Sequence, residues 1–459
     1  MPLSTMTNGR SNTIWRFMIG LLAATKMELA DLLPIDTFYD QANTLNVGHQ
    51  NLADLAKKYG TPLYIYDGAT IRQQILTLRG LLNRFYPGNS EITYAAKAYF
   101  SLFFARKLAN LGVGVDVVSL GELEVAKKAG FKAGQVHLHG NNKDEQELTG
   151  ALAWGAQAIV VDSLEELEFL GSLAARLGKK GRVWLRVTPG ITVNTHQYTQ
   201  TAHPASKFGL PIQDGQAGEA IRCLKKSRWL TLTGLHAHLG SQFFEAEPYQ
   251  LAVARLLELA EQEDFVPQEI SPGGGWGVPY NLKGKTNDPQ SWIETVSVAV
   301  IDEFMKRSWP LPRLVVEPGR WISARAGMVI YTVGTTKTAG DGTKFIAVDG
   351  GLADNIRPAL YQAEYTAIPV EKQDSKSFHK VTLAGKFCET GDILIPGVDL
   401  PFLKRGDLLA VPVAGAYQLA MSSNYNLAPR PAVLWLEEDE VLVMQKREQP
   451  GEMSWWLGE

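Results

Sequence analysis

The sequence predicts an α/β protein in which a (β/α)8 barrel is followed by a C-terminal antiparallel β domain. Between residues 90 and 320, eight apolar, β-rich runs alternate with helical patterns. Two of these runs lead directly into helices, which is typical of β–α units. After Arg320 the pattern changes to short alternating strands separated by turn residues.

Eight parallel strands with intervening helices in about 230 residues match the size of a (β/α)8 barrel, whereas a doubly wound sheet more often has five to seven strands. Serine–glutamate capping boxes begin two of the helices, at Ser119-Leu-Gly-Glu122 and Ser163-Leu-Glu-Glu166. The eight predicted strands are Ile92–Lys97, Val113–Ser119, Val136–His139, Ala158–Asp162, Val183–Thr188, Leu232–His238, Glu269–Pro272 and Leu314–Glu317.

We expect an N-terminal extension over residues 1–50 that partly joins the β domain, the barrel over 51–325 and the β domain over 326–459. Two short apolar stretches before the barrel, Thr44–Val47 and Leu63–Tyr66, are candidate strands of the β domain. Within that domain the predicted strands are Tyr331–Lys337 and Phe345–Val348, joined by a turn at 339–342, and a hairpin over Trp435–Leu442.

Composition and net charge limit the kinds of partner that we expect for this chain. The chain has 459 residues, 45% of them hydrophobic, and a net charge of −3, which gives no electrostatic basis for binding nucleic acid. We therefore expect small-molecule partners. The only two cysteines, Cys223 and Cys388, are too few for a disulfide framework and indicate a reducing, cytoplasmic location. We expect Cys223 to be a buried apolar residue of a helix.

The apolar run Trp15–Ala24 is shorter than the roughly 20 residues that span a bilayer, so we expect no membrane partner. Two explanations of the N-terminal stretch stay open: a signal peptide that lacks a clear cleavage site, or a true start at Met27.

Polar residues end most of the predicted barrel strands. Active sites of such barrels lie at the carboxyl ends of the strands, so these side chains are expected to converge on one mouth. They are Lys97, Asp116, His139, Asn141, Asp162, Arg186, His238 and Glu317.

Lys97 ends the first strand, in Tyr-Ala-Ala-Lys97-Ala. A lysine at this mouth can be partly desolvated, which favours the free amine that forms a Schiff base with a carbonyl. Most strand-end lysines are solvated surface residues, so the interpretation depends on the neighbouring motifs.

Three further motifs end the last strands, each with an ordinary structural explanation when taken alone. His238-Leu-Gly-Ser241 can supply a ring stacker and a phosphate-binding turn, or be a strand end with a common turn. Gly273-Gly274-Gly275 can bring backbone N–H groups to an anion, or be a flexible turn. Glu317-Pro-Gly319-Arg320 can bind a ring nitrogen and a phosphate, or form a surface ion pair. With Lys97 they meet every requirement of pyridoxal 5′-phosphate. No metal site is predicted.

The order of these motifs, followed by Cys388-Glu389 and Gly-Ala-Tyr417, resembles the diaminopimelate decarboxylases, which are alanine-racemase-like, fold type III pyridoxal-phosphate enzymes. The resemblance runs from about residue 50 to 450. It implies a homodimer that decarboxylates meso-2,6-diaminopimelate to L-lysine and CO2, the last step of lysine biosynthesis, with active sites at the interface.

The resemblance also implies residue roles. Lys97 would carry the cofactor, Glu317 would hold its ring nitrogen, and Cys388 would donate the proton. The other cofactor-binding residues would be Asp116, His238, Ser241, Gly273, Gly274, Gly275, Gly319, Arg320 and Tyr417. The substrate-binding residues would be Arg320, Arg357, Tyr361, Glu389 and Tyr417, with Cys388 and Glu389 reaching the neighbouring subunit's site.

The charged residues expected around the substrate distinguish this activity from related ones. A diamino-dicarboxylic acid needs a cation for its distal carboxylate and an anion for its distal amine, and Arg357 and Glu389 supply that pair. An ornithine-type decarboxylase would by resemblance use acidic residues there. A racemase would need a second base, typically a tyrosine, in place of Cys388-Glu389. A regulatory, non-catalytic relative could lack Lys97 and Cys388, so their presence argues against it.

Overall fold

The structure is a computed structural model that describes residues 27–191, 206–285, 288–372 and 377–451. The run Trp15–Ala24 lies outside the described residues. The helices are α1 Leu52–Tyr59, α2 Gly68–Phe85, α3 Leu102–Asn110, α4 Leu120–Ala129, α5 Glu145–Trp154, α6 Leu164–Leu177, α7 Gln216–Lys225, α8 Glu247–Gln262, α9 Pro289–Lys306, α10 Arg320–Ser323 and α11 Arg357–Tyr361.

The strands before and in the barrel are β1 Thr37–Tyr39, β2 Leu45–Val47, β3 Gln50–Asn51, β4 Leu63–Asp67, β5 Ser90–Ala95, β6 Gly114–Val117, β7 Val136–Leu138, β8 Ala158–Val161, β9 Gly181–Thr188, β10 Leu210–Pro211, β11 Leu230–His236, β12 Glu269–Gly273 and β13 Arg313–Val316. The strands after it are β14 Gly327–Thr338, β15 Lys344–Val348, β16 Ile368–Pro369, β17 His379–Ala384, β18 Ile393–Leu400, β19 Leu408–Pro412, β20 Ala432–Glu437 and β21 Glu440–Gln445.

Eight parallel strands form a closed barrel. The order is β5, β6, β7, β8, β9, β11, β12 and β13, and β13 pairs with β5 to complete the circle. Each strand coincides with one of the eight predicted runs, so the predicted (β/α)8 barrel is confirmed. The short strand β10 pairs with the end of β9 outside this circle.

The two predicted helix starts are correct, but the capping boxes are incomplete. Ser119 and Ser163 cap α4 and α6, and each side chain accepts a hydrogen bond from the backbone N–H three residues later. The reciprocal partners point elsewhere: Glu122 accepts from Val118 N, and Glu166 pairs with the buried amine of Lys143 at 2.6 Å. In α6 the contact with Lys143 replaces the local pattern, whereas in α4 the glutamate accepts from the residue just before the cap.

A second, nine-stranded sheet follows the barrel. It runs β18, β17, β15, β14, β4, β20 and β21, and β19 and β16 join beside β14. Its pairs are antiparallel, as expected, except for β15 with β17 and β4 with β20, so the sheet is mixed. Strand β4 precedes the barrel and is inserted between β14 and β20. The stretch before it forms a separate three-stranded sheet, β1 to β3.

Large side chains and ion pairs fill the amino-terminal end of the barrel. Trp184 is fully buried and donates to Glu269 at 2.7 Å, and Glu269 also pairs with Arg313. Because this end is packed, the functional cavity opens at the carboxyl ends of the strands. The β domain covers that opening, where the backbone N–H of Tyr417 donates to the carbonyl of Ala98 at 2.8 Å.

The expected burial of Cys223 is wrong. The residue lies in α7 as predicted, but its side chain is exposed. The buried face of this helix is formed by Ala217, Ala220, Ile221 and Leu224, and Cys223 falls off that i, i+3, i+4, i+7 stripe. Within the described ranges, no helix is long and apolar enough to cross a membrane.

Candidate active site

A cavity of about 950 Å³ opens at the carboxyl ends of the barrel strands. It brings together all of the predicted mouth residues except Asp162, which is buried beside Arg186 with 3.8 Å between Oδ1 and Nε. The predicted site residues that line it are Lys97, Asp116, His238, Ser241, Gly275, Glu317, Gly319, Arg320, Arg357, Tyr361 and Tyr417. Of these residues, Arg357, Tyr361 and Tyr417 belong to the β domain.

Lys97 lies in a short 3-10 turn, Ala96–Ala98, directly after β5. Its side chain is exposed toward the cavity, while Ala96 and Ala98 on either side are buried. In the single chain Lys97 is thus exposed, and the partial desolvation expected for it is not seen. The turn directs a primary amine into the cavity, where it can reach a bound carbonyl compound.

Glu317 follows β13 and is buried, with two hydrogen-bond partners. Ser271 Oγ lies 2.5 Å from one carboxylate oxygen, and His236 Nε2 lies 3.1 Å from the other. Burial alone would raise the pKa of Glu317, but His236, His139 and Ser271 reverse this effect and hold the pKa well below its usual range. The cavity therefore contains a buried carboxylate that stays ionised.

The glycine turn Gly273–Gly275 packs against the chain that carries Glu317. Gly273 and Gly275 have φ values of +83° and +95°, a region that favours glycine. A Cβ atom on Gly274 would lie 1.9 Å from the carbonyl oxygen of Glu317, and one on Gly275 would lie 2.1 Å from that of Gly240. Side chains are excluded here, so Gly275 presents bare backbone to the cavity, while Gly273 and Gly274 lie behind its surface.

Two arginines form a positively charged wall. Arg320 donates to Ser241 Oγ at 2.8 Å and to Tyr280 Oη at 2.5 Å, and Arg357 donates to Tyr365 Oη at 2.5 Å. Burial would raise the pKa of Tyr280, but the two guanidinium groups outweigh it and lower the pKa. This wall is suited to anionic groups such as phosphate and carboxylate.

Sequence reasoning assigned no role to His236, although it lies in the cavity beside Glu317. Side chains alternate along a strand, so a residue two positions before His238 at the end of β11 is expected on the same face. Tyr280 was also missed, and its only signal is its position shortly after the glycine turn. The side-chain nitrogen and oxygen atoms of His139, His236 and Glu317 lie within 4.8 Å of one another.

Cys388 and Glu389 are not brought to the cavity within one chain. Both are exposed on the loop between β17 and β18 and neither lines the cavity. The carboxylate of Asp392 fixes the base of this loop by accepting from the backbone N–H groups of Leu352 at 2.6 Å and Phe387 at 2.8 Å. The loop is thus held in place while its tip faces outward.

These residues fit pyridoxal phosphate. The cavity offers an amine, an ionised buried carboxylate, a glycine turn without side chains and an arginine next to a serine hydroxyl. Each matches one group of that cofactor: aldehyde, ring nitrogen and phosphate.

Comparisons with known proteins agree with the geometry. The family described as "Pyridoxal-dependent decarboxylase, pyridoxal binding domain" matches residues 69–324. The diaminopimelate decarboxylase of Bacillus subtilis is 39% identical over 415 residues, which cover 89% of this chain and 94% of that protein. The chain belongs to the diaminopimelate decarboxylase family.

Solved structures of the family share the fold. The diaminopimelate decarboxylase of M. jannaschii in complex with L-lysine is 28% identical, has a TM-score of 0.86, and the match covers 92% of this chain and 96% of that one. The Helicobacter pylori enzyme complexed with L-lysine is 31% identical with a TM-score of 0.80, covering 87% and 97% of the two chains.

We predict that Gly274→Ala destabilises the protein by about 2 kcal/mol or more, because the new Cβ would overlap the backbone at Glu317. Gly80→Ala is the matched control: Gly80 lies in α2 with nothing within 4 Å of an added Cβ, so stability should rise by at most about 1 kcal/mol. Chemical denaturation measures both. Equal stabilities of the two variants would contradict the close approach described above.

Proposed function

We propose that this protein decarboxylates meso-2,6-diaminopimelate to L-lysine and CO2 with the help of pyridoxal 5′-phosphate. The observation that carries this proposal is a cavity that combines the Lys97 amine, an ionised and buried Glu317, and the arginine pair Arg320 and Arg357. The first two serve the cofactor, and the arginines suit a phosphate and a substrate with an additional carboxylate.

Several residues would hold the cofactor. Lys97 would bind it covalently through Nζ, and Glu317 would accept a hydrogen bond from its ring nitrogen. His238 would pack against the ring. The phosphate would be bound by Arg320, Ser241 and the backbone of the glycine turn, and Asp116, Gly319 and Tyr417 would complete the set.

When bound, pyridoxal phosphate supplies an electron-withdrawing ring that accepts the electron pair left behind when the substrate's carboxylate departs as CO2. Glu317 favours this chemistry because an ionised carboxylate stabilises a protonated ring nitrogen. Ser271 Oγ and His236 Nε2 both lie within hydrogen-bond distance of this carboxylate.

Recognition of the substrate would rest on opposite charges. Burial at the cavity wall would lower the pKa of Arg357, but the phenolic oxygens of Tyr280 and Tyr365 outweigh burial and raise it. Arg357 therefore remains a cation that can pair with the distal carboxylate. Tyr361, in the same short helix α11, lines the cavity beside it. Glu389 would pair with the distal amine.

We propose that the active unit is a homodimer. Cys388, the expected donor of a proton to the substrate's α-carbon, and Glu389 are exposed and lie outside the cavity of their own chain. A second copy that presents this loop to the cavity would complete the site. We also propose a cytoplasmic location, because both cysteines are free thiols.

Lys97→Ala should abolish lysine and CO2 formation from meso-diaminopimelate and should remove the borohydride-stable label that the cofactor leaves on the protein. Lys283→Ala is the matched control, since Lys283 lines the same cavity at an exposed position without a proposed role. The measurement is product formation with and without added pyridoxal phosphate, together with mass analysis of the reduced protein.

The substrate is tested in the same assay with ornithine in place of diaminopimelate. Wild type should turn over diaminopimelate far faster, because ornithine leaves the Arg357 cation unpaired. Faster decarboxylation of ornithine, or a cofactor label that persists in Lys97→Ala, would refute the assignment.

If each active site combines Lys97 of one subunit with Cys388 of the other, two inactive variants should complement each other in mixed dimers. Mixing Lys97→Ala with Cys388→Ala chains should restore up to about a quarter of the wild-type rate, because half of the random dimers have one intact site of two. The control mixture replaces the Cys388→Ala chain with the double variant, which leaves no Lys97 in the dimer. Demonstrated mixed dimers without activity would show that Cys388 does not act across the interface.

A further inference from the structure

His236 faces Glu317 across the barrel mouth: it ends β11, whereas Glu317 follows β13, with β12 between the two strands. It is buried at the end of β11, and its Nε2 atom lies 3.1 Å from Glu317 Oε2. An ionised carboxylate can only accept hydrogen bonds, so Nε2 must carry the hydrogen. The other oxygen of Glu317 is already bound by Ser271. The orientation of the carboxylate is therefore fixed from two sides.

A second histidine, His139, and a second carboxyl group, Asp116, lie beside His236 in the barrel mouth. The rings of His236 and His139 are 5.0 Å apart at 74°, and His139 Nε2 is 3.4 Å from Asp116 Oδ1. Within the described part of the chain, three buried atoms of this group have no hydrogen-bond partner: His236 Nδ1, His139 Nε2 and Asp116 Oδ1. Buried polar atoms without a hydrogen-bond partner are uncommon in proteins, and these three cluster around the Glu317 carboxylate.

The two buried carboxyl groups differ in charge. Burial and then repulsion by Glu317 raise the pKa of Asp116 well above its usual range, whereas the pKa of Glu317 is held low. Burial lowers the pKa of His139, which is therefore neutral. The negative charge thus resides on Glu317. The titratable, charged and hydroxyl groups that face it are His236, Ser271, His139, Asp116, His137, Arg186, His238 and Tyr249.

We propose that His236 is a positioning residue for the reaction: its Nε2–H donates to Glu317 and keeps that carboxylate oriented and ionised, ready to receive a protonated ring nitrogen. The inference rests on the proposed function, because it concerns the same cofactor site. His139 packs edge-on against the ring of His236, and Asp116 lies next to His139 at the same barrel mouth.

The test compares two polar substitutions of similar size. The amide of His236→Gln can reach the position of Nε2 and donate to Glu317, whereas the shorter His236→Asn reaches only the position of Nδ1. The readout is the dissociation constant of pyridoxal phosphate from the apo-protein, measured by cofactor absorbance between acidic and neutral pH. This readout is independent of turnover.

At neutral pH we expect His236→Asn to weaken cofactor binding at least about tenfold, as for loss of a hydrogen bond to a charged group, and His236→Gln to stay within about threefold. The pH dependence has a defined sign. Glu317 supports binding above its pKa, and loss of the donor raises that pKa, so His236→Asn should lose the cofactor at a higher pH on acidification than wild type.

Repeating the comparison with Glu317→Gln separates positioning from general structure. In that background, His236→Asn should have no further effect on affinity and no pH shift. An equal loss in both backgrounds, or an unchanged pH midpoint, would overturn the inference. If wild type itself failed to bind the cofactor at Lys97, the proposed function would fail instead.

A measurement on unsubstituted His236 covers the case in which His236→Asn does not fold. Long-range ¹H–¹⁵N spectra of histidine-labelled apo-protein should show His236 protonated on Nε2, and this signal should change in Glu317→Gln. A hydrogen on Nδ1 alone, with a bare Nε2, would overturn the inference.

Discussion

The ionised carboxylate of Glu317 is the constraint on which the site depends. Removing a carboxylate from water is costly unless hydrogen bonds and charges compensate, and here the compensation comes from adjacent strands. His236 and Ser271 are direct register partners on the parallel strands β11 and β12, and Glu317 directly follows the next strand, β13. Closure of the barrel therefore places both donors around the carboxylate, because neighbouring parallel strands end at the same level.

Contact between the barrel and the β domain completes the wall of the cavity. The loop after β19 packs on the barrel mouth through hydrogen bonds from Tyr417 N to Ala98 O and from Gly415 N to Ala324 O, at 2.8 and 3.0 Å. This contact places the Tyr417 ring 4.6 Å from the guanidinium carbon of Arg320. The barrel supplies the groups for a cofactor, whereas the β domain adds Arg357 and Tyr361. The cavity is therefore formed by both parts of the chain.

The barrel and most of the site could be predicted from the sequence because their signals are local. Apolar runs with polar ends gave the eight strands, and the order of the motifs gave Lys97, Glu317 and Arg320. The strand at Leu63–Tyr66 was also expected to join the β domain, as β4 does. What required the structure depends on contacts between distant residues: the place of β4 between β14 and β20, the exposed side of α7 at Cys223, and the pairing of His236 with Glu317. The structure also places Cys388 on an exposed loop outside the cavity of its own chain.

The most direct test of the account is the protonation state of Glu317. Infrared difference spectra of the apo-protein, wild type minus Glu317→Gln, should show carboxylate bands and no protonated C=O stretch for this residue at a pH near the ordinary glutamate pKa. A protonated carboxyl band under those conditions, lost in Glu317→Gln, would show that the buried group is neutral and would contradict the account.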